Sequence, residues 1–192
     1  PMTSTHRWLA FTSCLVLASA VFAQVPTPAP TPTPAPAAAP AEPKLTWHDV
    51  TTWGLEGRAF GDMERKRWFD RFPAIADGKV TDAVWNLSRD STGMMVRFRT
   101  DAAVIWANYA LMKAQLNGAN MTPIASSGLD LYARDDAGRW RWVGVTRPGS
   151  QVVRQEIING LAPGFREYAL YLPLRNGIES LSVGVPPSAR FE

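Results

Sequence analysis

The chain has 192 residues, 46% of them hydrophobic, and a formal net charge of +3, enough for one domain with its own core and too nearly neutral to point to a charged partner. Its basic residues are scattered, with one short cluster at Arg65-Lys66-Arg67, so the stripe that follows a nucleic-acid backbone is missing and no nucleic-acid partner is expected. The single cysteine, Cys14, and the two histidines, His6 and His48, leave thiolate chemistry and zinc binding short of ligands; no metal and no cofactor is expected.

Residues 1–23 have the layout of a signal peptide. His6 and Arg7 precede an apolar stretch from Trp8 to Val21, and Val21-Phe22-Ala23 supplies small residues where a signal peptidase reads. The stretch is short for a membrane span, so a secreted or periplasmic protein with no retained membrane anchor is expected. Cleavage would remove Cys14 and leave a domain held by its core alone. Residues 24–46 alternate Pro with Thr and Ala and form a polyproline II linker with nothing to bury.

Residues 47–187 carry the fold, and 188–192 would begin a connection to a further domain. Short apolar-alternating runs predict strands over Asp49–Trp53, Val84–Ser88, Met94–Arg99, Val104–Met112, Leu129–Arg134, Arg139–Val145, Val152–Ile158, Glu167–Leu172 and Ile178–Val185. Turn signals such as Asp136-Ala137-Gly138 and Pro163-Gly164 separate them. The spacing predicts an all-β fold, an antiparallel β-sandwich. Met63–Phe72 is the best place for a short helical turn. Asn176-Gly177 reads as a type I′ hairpin turn between the last two strands. Tyr168–Leu172 is apolar on both faces, as in a central strand, and the cover for one face could come from outside this chain.

The stretch 128–145 concentrates the functional question. In its first strand Leu129, Leu131 and Ala133 share one face, Asp130 and Tyr132 the other; in its second, Trp140, Trp142 and Gly144 alternate with Arg139, Arg141 and Val143. A carboxylate beside aromatic rings is either a buried polar anchor or a recognition surface. Elsewhere chemistry is scarce. His48 has Asp49 beside it, but the chain has no serine in a Gly-x-Ser-x-Gly elbow, and no catalytic residue is assigned. Seven tryptophans follow the linker; each fills the core or stacks on a sugar, and Trp140 and Trp142 are the pair for which that choice matters.

Gly128-Leu129-Asp130-Leu131-Tyr132 resembles the Gly-x-Asp-Leu-Tyr signature of a domain found ahead of SGNH (GDSL-type) hydrolases. Residues 84–94, the strand end Phe98-Arg99-Thr100-Asp101-Ala102, and Tyr168-Ala169-Leu170-Tyr171-Leu172-Pro173-Leu174 resemble further motifs of that domain in the same order. Arg175 departs from it, standing where a tyrosine or another turn residue is expected. The resemblance implies a jelly-roll sandwich packed beside the catalytic SGNH domain of the same polypeptide. It also implies an intact enzyme that cleaves carboxylic esters, with acetylated carbohydrate the preferred class by analogy. The family's catalytic blocks have no counterpart here: Gly61-Asp62 is followed by Met63, and no Asp-x-x-His occurs. Asp130, Tyr132, Trp140 and Trp142 are the candidates for a domain junction or for ligand binding. A free-standing carbohydrate-binding module is the alternative, and an adaptor with Asp130 and Tyr132 buried at the junction is a third.

Overall fold

The computed structural model describes residues 43–192; the expected leader, Cys14 and most of the linker lie outside the described residues. Among the described residues eight strands form two antiparallel sheets. The first contains β1 (Thr46–Asp49), β3 (Ile105–Leu111), β6 (Val152–Ile158) and β8 (Ile178–Val185), in the order β1-β8-β3-β6. The second contains β2 (Met95–Thr100), β4 (Asp130–Arg134), β5 (Trp140–Val145) and β7 (Arg166–Tyr171), in the order β2-β7-β4-β5. The pairing is nested: β1 pairs with β8, β2 with β7, β3 with β6 and β4 with β5. The strands thus behave as one long hairpin, its tip at the β4–β5 turn, folded over to bury one side.

That side is the core, and it follows the two-residue period of the strands. On β3 Ile105, Ala107, Tyr109 and Leu111 are buried, while Trp106, Asn108 and Ala110 between them are partly exposed. Val96 and Phe98 of β2, Leu131 of β4, Leu170 of β7 and Leu181 and Val183 of β8 meet them in one continuous cluster. Burying such a side chain contributes about 1.5–3 kcal/mol. The Tyr109 hydroxyl inside this core shares a 2.8 Å hydrogen bond with Thr146 Oγ1, and burial pushes its pKa up to about 12.

Four expected elements are replaced. Val84–Ser88 is not a strand: Asp82–Ser88 is helix α1. Thr81 caps it by accepting from the Val84 N–H, and Trp85 and Ser88, three residues apart, are its buried residues. The first strand lies earlier than expected, since Asp49 ends β1 and accepts from the Thr51 N–H to start a 3₁₀ turn over Val50–Thr52. Met63–Phe72 forms no helix; the nearest helical turn is the 3₁₀ turn Ala74–Ala76. Arg65 draws the region into a loop by donating to the carbonyls of Ala59, Gly61, Met63 and Asp70. Its neighbours in the basic cluster are also occupied, Lys66 on Asp77 and Arg67 on Asp70 and Glu179. A second helix, α2 (Pro123–Ser127), was not expected, although Thr122 as cap and Pro123 in its first turn are its sequence signals.

The fourth replacement concerns Asn176-Gly177. β7 and β8 lie in different sheets, so the pair is a crossing between sheets and not a hairpin turn, and neither residue has a positive φ. Asn176 is fully buried. Its Oδ1 accepts the Lys113 N–H at 2.9 Å, and its Nδ2 donates to the Lys113 carbonyl at 3.1 Å and to Ser127 Oγ at 3.2 Å. Gly177 is needed for close approach, since a Cβ there would lie 2.5 Å from the Arg89 carbonyl oxygen. Arg175, the departing residue, joins the same crossing by donating its N–H to the Ser126 carbonyl at 2.9 Å.

Candidate functional site

The β4–β5 hairpin presents the candidate residues. Its turn, Asp135 to Gly138, closes through the Gly138 N–H on the Asp135 carbonyl at 2.8 Å, with Gly138 at φ +77°. The Asp135 carboxylate accepts the backbone N–H groups of Ala137 and Arg139 and the side chains of Arg139 and Arg141. The Arg139 N–H is the largest of the influences that bring its pKa down to about 2.

On β4 the expected alternation is observed, with Leu129, Leu131 and Ala133 buried and Asp130, Tyr132 and Arg134 on the outer face. Across the hairpin Arg134 faces Trp140, Tyr132 faces Trp142 and Leu131 faces Gly144. Val143 is therefore a bulge, and it reverses the alternation, placing Gly144 on the core side with Leu131. The expected continuation of the tryptophan face to Gly144 does not occur.

Asp130, Tyr132, Trp140 and Trp142 thus share one outer face. The Trp142 indole N–H donates to Asp130 Oδ1 at 3.1 Å, and Asp130 is half-buried. Its partner is thus an indole from the facing strand. The Tyr132 ring meets Tyr171 edge to face, centroids 5.6 Å apart, and the Arg134 guanidinium lies 6.0 Å from the Trp140 ring centre. Asp130, Tyr132, Trp140, Tyr171, Leu172 and Leu174 line an open cleft of about 380 Å³. Trp142 stands beside the cleft, 55% exposed, and is the most exposed tryptophan among the described residues. Tyr171, Leu172 and Leu174 were not among the sequence candidates, although the two-residue period of β7 sets Tyr171 on the face opposite Tyr168 and Leu170.

The glycine that opens the signature has a separate task. Gly128 follows α2, and a Cβ on it would lie 2.4 Å from the Ile124 carbonyl oxygen and 2.9 Å from that of Thr146. The next residue, Leu129, donates its N–H to Thr146 Oγ1 at 2.8 Å. Glycine lets the chain enter β4 tight against the strand end that follows β5, which fixes where Asp130 and Tyr132 emerge.

His48 has a packing role. Its ring stacks on Phe191 at 3.8 Å, and Phe191 stacks in turn on Phe98. Desolvation lowers its pKa. Its sequence neighbour Asp49 spends its carboxylate on the N–H and hydroxyl of Thr51, so the two do not form an acid–histidine pair.

Residues 45–191 match the family GxDLY, described as the N-terminus of SGNH-type esterases. The chain belongs to that family. Among solved structures it resembles a Bacteroides ovatus protein described as a GDSL-like lipase, with 28% identity and a TM-score of 0.71. A salicylyl-acyltransferase from a tetracycline biosynthetic pathway shares the fold at 17% identity and a TM-score of 0.50. The matches cover 78% and 77% of this chain but only 43% and 41% of those proteins. No curated protein matches the chain. The GxDLY signature is Gly128, Asp130, Leu131 and Tyr132 here: a close-approach glycine, two outer-face residues and a core leucine between them.

Proposed function

We propose that this GxDLY domain is the non-catalytic sandwich of a secreted SGNH-type serine esterase, jelly-roll in topology, that packs its outer aromatic face against the hydrolase domain of the same polypeptide. The observation that carries this reading is that two signature residues, Asp130 and Tyr132, line an open, largely apolar cleft on the outside of the second sheet. Trp140, Tyr171 and Leu174 are 40%, 40% and 46% exposed beside it, a concentration of apolar surface that serves interaction better than solvation. The nested strand pairing supports the jelly-roll assignment, and the apolar run Trp8–Val21 supports export.

In the intact enzyme the nucleophile and the oxyanion donors belong to the hydrolase domain, and reaction proceeds through an acyl-enzyme. This domain forms a wall of the substrate cleft. Aromatic rings beside a carboxylate suit the apolar face and the hydroxyls of a sugar, so acyl esters of carbohydrates, acetyl esters first, are the proposed substrates. The exposure of Trp142 favours one alternative, a free-standing module that grips carbohydrate by itself.

The test compares this chain with a version extended through the following domain, using 4-nitrophenyl acetate hydrolysis and polysaccharide binding. Hydrolysis by the extended version alone, lowered at least about tenfold by Tyr132→Ala with the fold retained, is the expected result. Saturable polysaccharide binding by the short chain, lost in Trp142→Ala, would favour the free-standing module. Hydrolysis by the short chain would overturn both.

A further inference from the structure

A second opening lies beside the crossing between the sheets, where α1, α2 and the segment after β3 come together. It is a pocket of about 190 Å³ whose lining includes Leu87, Asp90, Lys113, Asn117, Ser126 and Arg175. Two of its polar side chains are almost wholly buried and still have bonding capacity to spare. Ser126 is 3% exposed, and its hydroxyl has no partner among the described residues. Its oxygen is not sealed from solvent, so it opens onto the pocket. Asp90 is also 3% exposed; its Oδ1 accepts from Lys113, while Oδ2 has no partner among the described residues and is likewise open. Native structures seldom leave such groups without a partner.

The charge of the pocket selects the ligand. Lys113 matches Asp90, which leaves Arg175 in excess. Arg175 is exposed and fixed through its backbone N–H on the Ser126 carbonyl, and its guanidinium has no ion pair or hydrogen bond among the described residues. A guanidinium suits a carboxylate, which it can hold by two parallel hydrogen bonds. Asp90 Oδ2 can accept only from a donor such as a hydroxyl, and the Ser126 hydroxyl serves one in either sense. Leu87 of α1, 56% exposed, adds an apolar lip. The ligand that answers all of these carries a carboxylate, several hydroxyls and an apolar face. Since a cavity of about 150 Å³ holds benzene, there is room for one six-membered ring. Leu174 lines the outer cleft and the next residue, Arg175, lines this pocket, so the two openings adjoin.

We infer that this pocket binds a uronic acid unit of an acidic polysaccharide, its carboxylate on Arg175 and its hydroxyls on Asp90 and Ser126. The inference rests on the carbohydrate reading under Proposed function and narrows it to acidic chains. Arg175 is also the residue that departs from the pattern of the family, so the preference belongs to this chain and not to GxDLY domains at large.

The test is a chemical-shift titration of the full chain with D-glucuronate, D-glucose and acetate. Glucuronate should shift the Ser126 and Arg175 amides saturably and bind at least about tenfold more tightly than glucose or acetate. Arg175→Gln, a change at an exposed site, should weaken glucuronate about tenfold and bring it level with glucose. Ser126→Ala should weaken it about fivefold with Tm unchanged, because the hydroxyl has no partner inside the fold. A merely structural serine would instead lower Tm and leave binding alone. Absence of saturable binding, glucose or acetate binding as tightly as glucuronate, or unchanged affinity in Arg175→Gln would each overturn the inference. Binding is read on this chain alone, so the outcome is separate from the hydrolysis test. Glucuronate bound by a chain whose extended version is inactive counts against the esterase reading only, and an active extended version without glucuronate binding counts against the pocket only.

Discussion

Asp135 shows how much one side chain at a hairpin tip can organise. Two backbone N–H groups and two arginines converge on it, and its pKa falls from an ordinary 3.8 to about 2. The folded state therefore holds its proton less tightly than the unfolded chain. Its stabilising contribution is complete above about pH 4 and is lost as pH falls through about 2. Asp135→Asn keeps an acceptor for the turn but removes the charge, so denaturant midpoints measured across this window should fall less steeply in the variant than in the parent. Because the carboxylate is partly exposed, added salt should narrow the difference; parallel profiles in both proteins would show that the carboxylate charge contributes nothing. The residue scale is also where sequence was most informative. Two-residue alternation placed Asp130 and Tyr132 together on the non-core face without any knowledge of neighbours. It could not supply the Trp142 indole as the partner of Asp130, because that contact depends on cross-strand register and the register is shifted by the Val143 bulge.

Elements were less legible where a local signal competed with a tertiary one. Val84–Ser88 alternates well enough for a strand, yet the Thr81 cap and the three-residue spacing of Trp85 and Ser88 make it helix α1. Asn176-Gly177 is the sharper example. The dipeptide favours a tight hairpin in isolation, but here its carboxamide ties the crossing between sheets to Lys113 and Ser127. The two roles respond oppositely to mutation. A type I′ turn accepts glycine at its first central position with little loss, whereas the buried bridge loses three hydrogen bonds and leaves polar groups unpaired. Asn176→Gly should therefore cost about 2–4 kcal/mol in urea unfolding. A loss of only a few tenths would restore the hairpin-like account of this segment.

Across the whole domain, the nested pairing sets a folding order that no single stretch of sequence could reveal. Strand existence is a local property, while the pairing of β1 with β8 unites the two ends of the fold and depends on everything enclosed between them. Closing that outer pair first would cost the most chain entropy; closing β4 on β5 costs the least, because only the four residues of the Asp135–Gly138 turn and Arg139 intervene. Folding should therefore grow outward from the hairpin that also carries the outer aromatic face, and it should be slow for the domain's size, in milliseconds to seconds, because most pairings are non-local. Stopped-flow tryptophan fluorescence separates the two ends of this process. Gly138→Ala, which puts a Cβ on a residue at φ +77°, should slow folding. Val183→Ala, in fully buried β8 packing, should mainly accelerate unfolding. The reverse pattern would mean that the sandwich assembles from its termini inward, and the hairpin would then be the last part of the domain to form.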